Sequence, residues 1–280
     1  MNRLLIVNAD DYGLTPAVSR GILRAHRQGI VTSTSVLAVA PGFPEASVWL
    51  SRVPSLGVGV HLAAVGEDPP LLPAAQIRSL VGRDGRLPPS WKHFLLHALS
   101  GRIRPADLES EFAVQIERVL ALGVPVTHLD THQHLHLWPE VREAVLRLAR
   151  RFGIRGIRIP RSSARRIPGL GLMLFAAPLR RRASEEGLSF PDASVGFDES
   201  GRMGQARLAH AIDRLQRSSA HTAEIIVHPG EAHDPDRERY AWNYRWEDEL
   251  VALLDGETRA HVERAGFRLG TYADLAQERP

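Results

Sequence analysis

The residues of this chain best placed to do chemistry are histidines and aspartates that sit just after short apolar runs. The densest group is Thr127-His128-Leu129-Asp130-Thr131-His132-Gln133-His134-Leu135-His136. Along an extended backbone, side chains two apart share a face, so His128, Asp130 and His132 point one way while Leu129 and Thr131 point the other. A lone histidine near a strand end is more often a hydrogen-bonded structural group than a ligand, but imidazoles clustered beside a carboxylate are the donors that zinc-like ions take. Asp10 and Asp11, His61 and His228 each end a further apolar run. Two histidines and one carboxylate form a ligand set for zinc or another divalent ion that leaves positions open. Such an ion acidifies water and polarises a carbonyl, and a second carboxylate beside it could take the water's proton. One aspartate of the pair should therefore ligate and the other act as base. Paired carboxylates also suggest a glycosidase, although neighbours on a strand face opposite ways and would flank one bond awkwardly. Asp11 could instead merely cap the next helix, which leaves the histidines unexplained.

The elements that must position these groups alternate. Leu4-Leu5-Ile6-Val7 reads as a strand buried on both faces, and Thr15-Pro16 as the N-cap and first position of a helix running to about residue 29. Strands are predicted over 32–40, 56–62, 156–160, 223–230 and 267–269, with another led in by Gly123-Val124-Pro125-Val126. Helices are predicted over 43–52, 105–122, 139–152, 205–217, 246–254 and 258–265, and the Pro- and Gly-punctuated stretch 69–89 as a long active-site loop. This alternation predicts an α/β fold, a parallel (β/α) barrel or closed-up open sheet, in which Asp10, Asp11, His61, His132 and His228 converge at the C-terminal strand ends. The chain reads as a single domain over 1–280 with a lid-like segment over 160–200. There, the apolar run 169–177 is bracketed by Arg165-Arg166 and Arg180-Arg181-Arg182. That run suits either a helix facing the core with solvated arginines at its ends, or a wall that touches a lipid.

Composition narrows the class. Hydrophobic content of 44% and charged content of 24% are those of a globular protein, and the net charge of +3 is small. The basic pI of about 9.8 comes from arginine, Lys92 being the sole lysine, and no basic stripe with interleaved aromatics points to nucleic acid. With no cysteine, disulfides and thiolate sites are excluded and a metal must be held by nitrogen and oxygen. The N-terminus lacks the pattern of a signal peptide and no apolar run approaches the roughly 20 residues that span a bilayer, so a cytoplasmic enzyme is expected, with peripheral contact at the inner membrane surface.

Taken jointly and in order, Leu5-Ile6-Val7-Asn8-Ala9-Asp10-Asp11-Tyr12-Gly13-Leu14, Gly59-Val60-His61, Thr127 through His136 and Val227-His228-Pro229 resemble the YdjC/ChbG-like carbohydrate deacetylases. The resemblance runs from Asn2 to about Leu275. It implies a (β/α) barrel that uses one divalent metal, zinc or magnesium, to remove N-acetyl groups from amino sugars. It further implies Asp11, His61 and His132 as metal ligands, Asp10 as general base, His228 as acid or oxyanion group, and a homodimer. The Val227-His228-Pro229-Gly230-Glu231 form and the aromatic run from Tyr240 to Trp246 are similar to the HpnK branch, which implies the N-acetylglucosaminyl headgroup of a hopanoid lipid as substrate. Those rings equally suit packing outside the barrel or stacking on a sugar. A metal-stabilised glycolipid-binding module without catalysis is the other reading, and a base at Asp10 would tell against it.

Overall fold

The computed structural model describes residues 3–161 and 167–277, with the side chains of 167–173, 276 and 277 excepted. The first half of the chain runs β1 (Arg3–Tyr12), α1 (Pro16–Gln28), β2 (Ser33–Val36), α2 (Phe43–Leu50), β3 (Gly57–Leu62), α3 (Trp91–Leu99), α4 (Pro105–Leu120) and β4 (Val126–Thr131). A 3-10 turn (His132–Leu137) follows, then α5 (Pro139–Phe152), β5 (Gly156–Ile157), α6 (Ile167–Glu185), β6 (Ala193–Val195), α7 (Gln205–Gln216), β7 (Thr222–Val227), α8 (Trp246–Leu254), α9 (Gly256–Arg264) and β8 (Phe267–Leu269).

All strand pairs are parallel, in the order β5-β4-β3-β2-β1-β7-β6 with β8 also against β1. The sheet curls as a partial barrel with helices outside, the expected α/β architecture. Because β1 is covered on both faces, Leu4 through Val7 are all buried and the sequence there shows no polar alternation. Thr15 caps α1 by accepting from the Val18 N–H at 3.0 Å, and Val18, Ile22 and Ala25 put its buried face on the sheet. Gly21 on that helix has a packing role: a Cβ there would lie 2.7 Å from the Gly230 Cα, so its absence lets α1 close on the loop that follows His228.

Several boundaries differ from expectation. β2 stops at Val36, where the chain leaves the sheet in a turn closed by Ala40 N–H to Leu37 O at 3.2 Å. β5 is two residues long, because Pro160 has no N–H with which to continue the ladder. The short strand β6 and helix α3 were not foreseen; α3 buries only Phe94 and Ala98, so it carries no apolar stripe for periodicity to find. Residues 160–200 contain α6 and then β6, which pairs with β7, while Arg165 and Arg166 lie outside the described residues. No helix among the described residues is long and apolar enough to cross a membrane.

Candidate metal centre

The strand ends bring all five expected residues into one cleft of about 870 Å³, lined by Asp10, Asp11, His61, His132 and His228. Strand alternation would point Asp10 and Asp11 apart, and the backbone breaks it. Asp11 takes φ +67°, and the β1–β2 register shifts between Ala9 and Tyr12, so both carboxylates reach the same cleft. Gln133 and His134, just after His132, are also left-handed at φ +52° and +55°. Non-glycine residues in that region cost on the order of 1–3 kcal/mol each and concentrate where geometry serves a function.

Asp11 Oδ1 lies 3.6 Å from His61 Nε2 and 3.5 Å from His132 Nδ1, and those nitrogens are 3.3 Å apart. Donors about 2.0–2.1 Å from a tetrahedral ion stand about 3.3–3.4 Å from one another, so the triangle has the size of one face of such a site. Asp11 Oδ1 is buried yet has no hydrogen-bond partner, an orphan that a cation would satisfy. These residues could hold a divalent metal ion. Asp130 supports the set from behind, accepting from His61 Nδ1 at 2.8 Å and so turning Nε2 toward Asp11.

Charge at the centre follows from burial and neighbours. Burial works to keep the Asp11 carboxyl protonated, but the close approach of His132 Nδ1 and the charges of His132, His61 and His228 bring its pKa down to about 2. Burial likewise favours neutral His61, but Asp130, Asp10 and Asp11 outweigh it and raise that pKa to about 9. In the metal-free fold this raised value favours folding fully below about 6.5, and the contribution is lost as pH rises through about 9. Loading an ion must displace the His61 proton. Between pH 6.5 and 8.5 apparent metal affinity is therefore expected to rise about tenfold per unit, with one proton released per ion. Calorimetry in buffers of different ionisation enthalpy measures this, and an affinity flat across that range would refute it.

Asp10 is held differently. Fully buried Arg158 grips it with two hydrogen bonds of 2.7 Å, and Asn8 donates to its Oδ1 at 2.8 Å. The same guanidinium pairs with Asp130 and donates from Nε to Glu224 Oε1 at 2.9 Å. His228 Nε2 stands 4.0 Å from Asp10 Oδ2, while its Nδ1 accepts from the Gly201 N–H at 3.4 Å, which leaves an N–H on Nε2. Glu249 fixes the loop by accepting from the backbone N–H groups of His228 and Met203.

Of the histidine run, only His132 joins the triangle. His128 shares the face of Asp130 as expected, since the Ser35 hydroxyl bonds both, but its ring is buried against Tyr272 and over Gly59, where a Cβ would strike it at 2.3 Å. Burial drives its pKa down to about 3. His136 is taken up by Thr131 Oγ1 and the Arg158 carbonyl. The aromatic run lies over the cleft: the Trp242 ring centres 5.2 Å from that of His132, and Tyr244 4.9 Å from that of His228. Asp10 and Asp11 are the only carboxylates among the described residues lining the cleft, and both stand on β1, so the opposite wall offers no partner of the kind a glycosidase needs.

The model of the family described as YdjC-like protein matches residues 4–264. The chain belongs to the YdjC-like family. A carbohydrate deacetylase of Geobacillus stearothermophilus is 32% identical over 277 residues, covering 98% of this chain and 99% of that protein. A chitooligosaccharide deacetylase of Klebsiella pneumoniae (strain 342) is also 32% identical, over 98% of this chain and all of its own length (100%). Among solved structures, a protein of Enterococcus faecalis V583 described in terms of cellobiose-phosphate cleavage superposes with a TM-score of 0.80 at 26% identity, covering 98% of this chain and 99% of its own. The YdjC-like match runs from β1 to the end of α9, and all five residues expected at the cleft lie within it.

Proposed function

We propose that the protein is a metal-dependent carbohydrate N-deacetylase, hydrolysing the acetamide of an amino sugar to acetate and a free amine. The observation that carries the reading is the Asp11–His61–His132 triangle with a second, separately held carboxylate beside it. A bound divalent ion, zinc or magnesium, would supply Lewis acidity toward water and the amide carbonyl. Asp10, kept oriented by Arg158, takes the proton of the attacking water. His228 presents its Nε2–H to the substrate as acid or oxyanion donor, and the departing nitrogen leaves as the amine. Trp242 and Tyr244 offer ring faces to the sugar. Metal analysis of purified protein with an acetate-release assay on N-acetylchitooligosaccharides tests this: acetate and amine should appear in equal amounts, vanish on chelation and return with metal. Release of reducing ends without acetate would make it a glycosidase, and binding without turnover a recognition module.

The finer reading is a glycolipid substrate, the N-acetylglucosaminyl headgroup of a hopanoid, with α6 as a lid-like wall. What supports it is the apolar surface of that helix: Leu174 is 75% and Phe175 40% exposed, and the Phe175 ring lies tilted against Trp138 with centroids 5.9 Å apart, next to the turn bearing His132. Exposed apolar side chains beside a sugar site suit a lipid tail or the edge of a headgroup layer. Phe175→Ser is then expected to lower kcat/KM on the glycolipid at least about tenfold more than on a soluble N-acetylated sugar, on the scale of one buried aromatic side chain. Equal losses on both substrates would show that α6 only packs. The same reading has the protein act as a cytoplasmic homodimer in peripheral contact with the inner membrane, which light scattering and vesicle sedimentation test.

A further inference from the structure

A second concavity lies on the outer side of α1, where that helix runs beside α2. It has a volume of about 530 Å³, the size of a small-molecule site, and among the described residues it shares no lining side chain with the cleft. Exposed Arg20, Arg24 and Arg27 of α1, exposed Arg52 just beyond α2 and half-buried Trp49 form most of it, over buried Leu23. The charge there is unbalanced. Four guanidinium groups meet one carboxylate, Glu231, and that one is taken by Arg20 Nε at 2.8 Å. Arg24 reaches only the neutral Gln28, at 3.4 Å, and among the described residues Arg24, Arg27 and Arg52 make no ion pair.

An arginine-rich composition does not by itself leave such a set. On α5, Arg142, Arg147, Arg150 and Arg151 each face a glutamate. Arg20, Arg24 and Arg27 share one helix face at i, i+4 and i+7, an arrangement in which like charges repel, and α1 carries no acidic residue to relieve it. Guanidinium groups left in that state are complementary to a multiply charged oxyanion, which their planar forks grip two oxygens at a time. The concave shape and the indole in its wall favour a small molecule bearing a ring over a flat charged layer.

We propose that this groove is a second binding site, for a phosphate monoester carried on a ring, with Arg24, Arg27 and Arg52 holding the phosphate and Trp49 the ring. Titration calorimetry on the full chain at low salt should show a single phenyl phosphate bound per chain, more tightly than inorganic phosphate, and no binding of uncharged benzyl alcohol. Arg27→Gln and Arg52→Gln should each weaken phenyl phosphate at least about tenfold with the melting temperature kept. Arg83→Gln, which removes the same charge from the loop 69–89, should not. Trp49→Leu should bring phenyl phosphate down to the affinity of inorganic phosphate. Glu231→Gln, which frees Arg20, should tighten binding about two- to fivefold. Asp11→Asn, altered in the cleft, should bind phenyl phosphate as wild type does. Equal losses in all three arginine variants would reduce the site to a diffuse charge effect, and a loss in Asp11→Asn would put the ligand in the cleft. Either result would overturn the proposal, as would no binding at all or binding only to phosphatidylglycerol vesicles.

Discussion

Asp10→Asn is expected to keep the metal and lower kcat by about 10²–10⁴, while Asp11→Asn loses metal and activity together. The proposed division of labour in the adjacent pair rests on the backbone, which turns the two residues toward different partners. Asp11 Oδ1 faces two imidazole nitrogens and is otherwise unpartnered, whereas both oxygens of Asp10 are engaged by Arg158. Asparagine is the informative replacement at position 11. It tolerates the left-handed φ of +67° nearly as well as aspartate, so a loss there reports the missing anion and not backbone strain. At position 10 the amide preserves shape and removes the proton acceptor. Metal content by atomic absorption, read beside acetate release, decides the matter. If Asp10→Asn emptied the site as fully as Asp11→Asn, the roles would be reversed. His228→Ala, with metal retained, belongs with Asp10→Asn in expected size, and normal turnover there would leave His228 only a structural part.

That Asp11, His61 and His132 would meet was legible in the sequence because each sits at the end of a recognisable apolar strand, and parallel strands place such ends on one side, whereas the choice of these three as a candidate ligand set came from the family resemblance. Helices α5 and α8 were legible from their apolar spacing and their starts at Pro139 and Trp246. What supports the triangle was not. Arg158 and Glu224 each sit singly among apolar residues, which reads as ordinary noise until the sheet sets β7 beside β1 and the residue after β5 reaches Asp10 and Glu224 inside it. Asp130 was visible beside the histidines, but spacing alone cannot tell a ligand from the group that orients a ligand. The turn at Gln133 and His134 carries no glycine to announce its left-handed backbone. A lone charge in a buried strand is the signal that would have found Arg158, since such a charge must meet partners inside.

Arg158→Met is expected to destabilise the fold by about 3–5 kcal/mol, the cost of removing one partner from a buried ionic cluster. The guanidinium joins Asp10 on β1, Asp130 on β4 and Glu224 on β7, so its loss strands three carboxyl groups inside the curled sheet. Burial already pushes the Glu224 carboxyl up, with Arg158 pulling it back, while Arg158 and His61 hold Asp130 well below the usual carboxylate range against its burial. The sign of the pH dependence separates charge from packing. In wild type the depressed Asp130 contributes stability that is present above its unfolded value of about 3.9 and lost as pH falls through its lower folded value. In the variant the stranded carboxylates have raised folded values, so stability is fully present below about 3.9 and lost as pH rises. The gap between the two proteins should consequently be wide at pH 7.5 and narrow toward pH 4.5, as measured by urea unfolding. A gap independent of pH would mean that the side chain is missed for its volume alone. Arg158→Lys refines the point, because a single ammonium restores charge without the fork that holds both Asp10 oxygens. That variant should recover most of the stability at pH 7.5 and bind metal, yet remain low in kcat, since the Asp10 carboxyl proposed as base is paired again but no longer aimed.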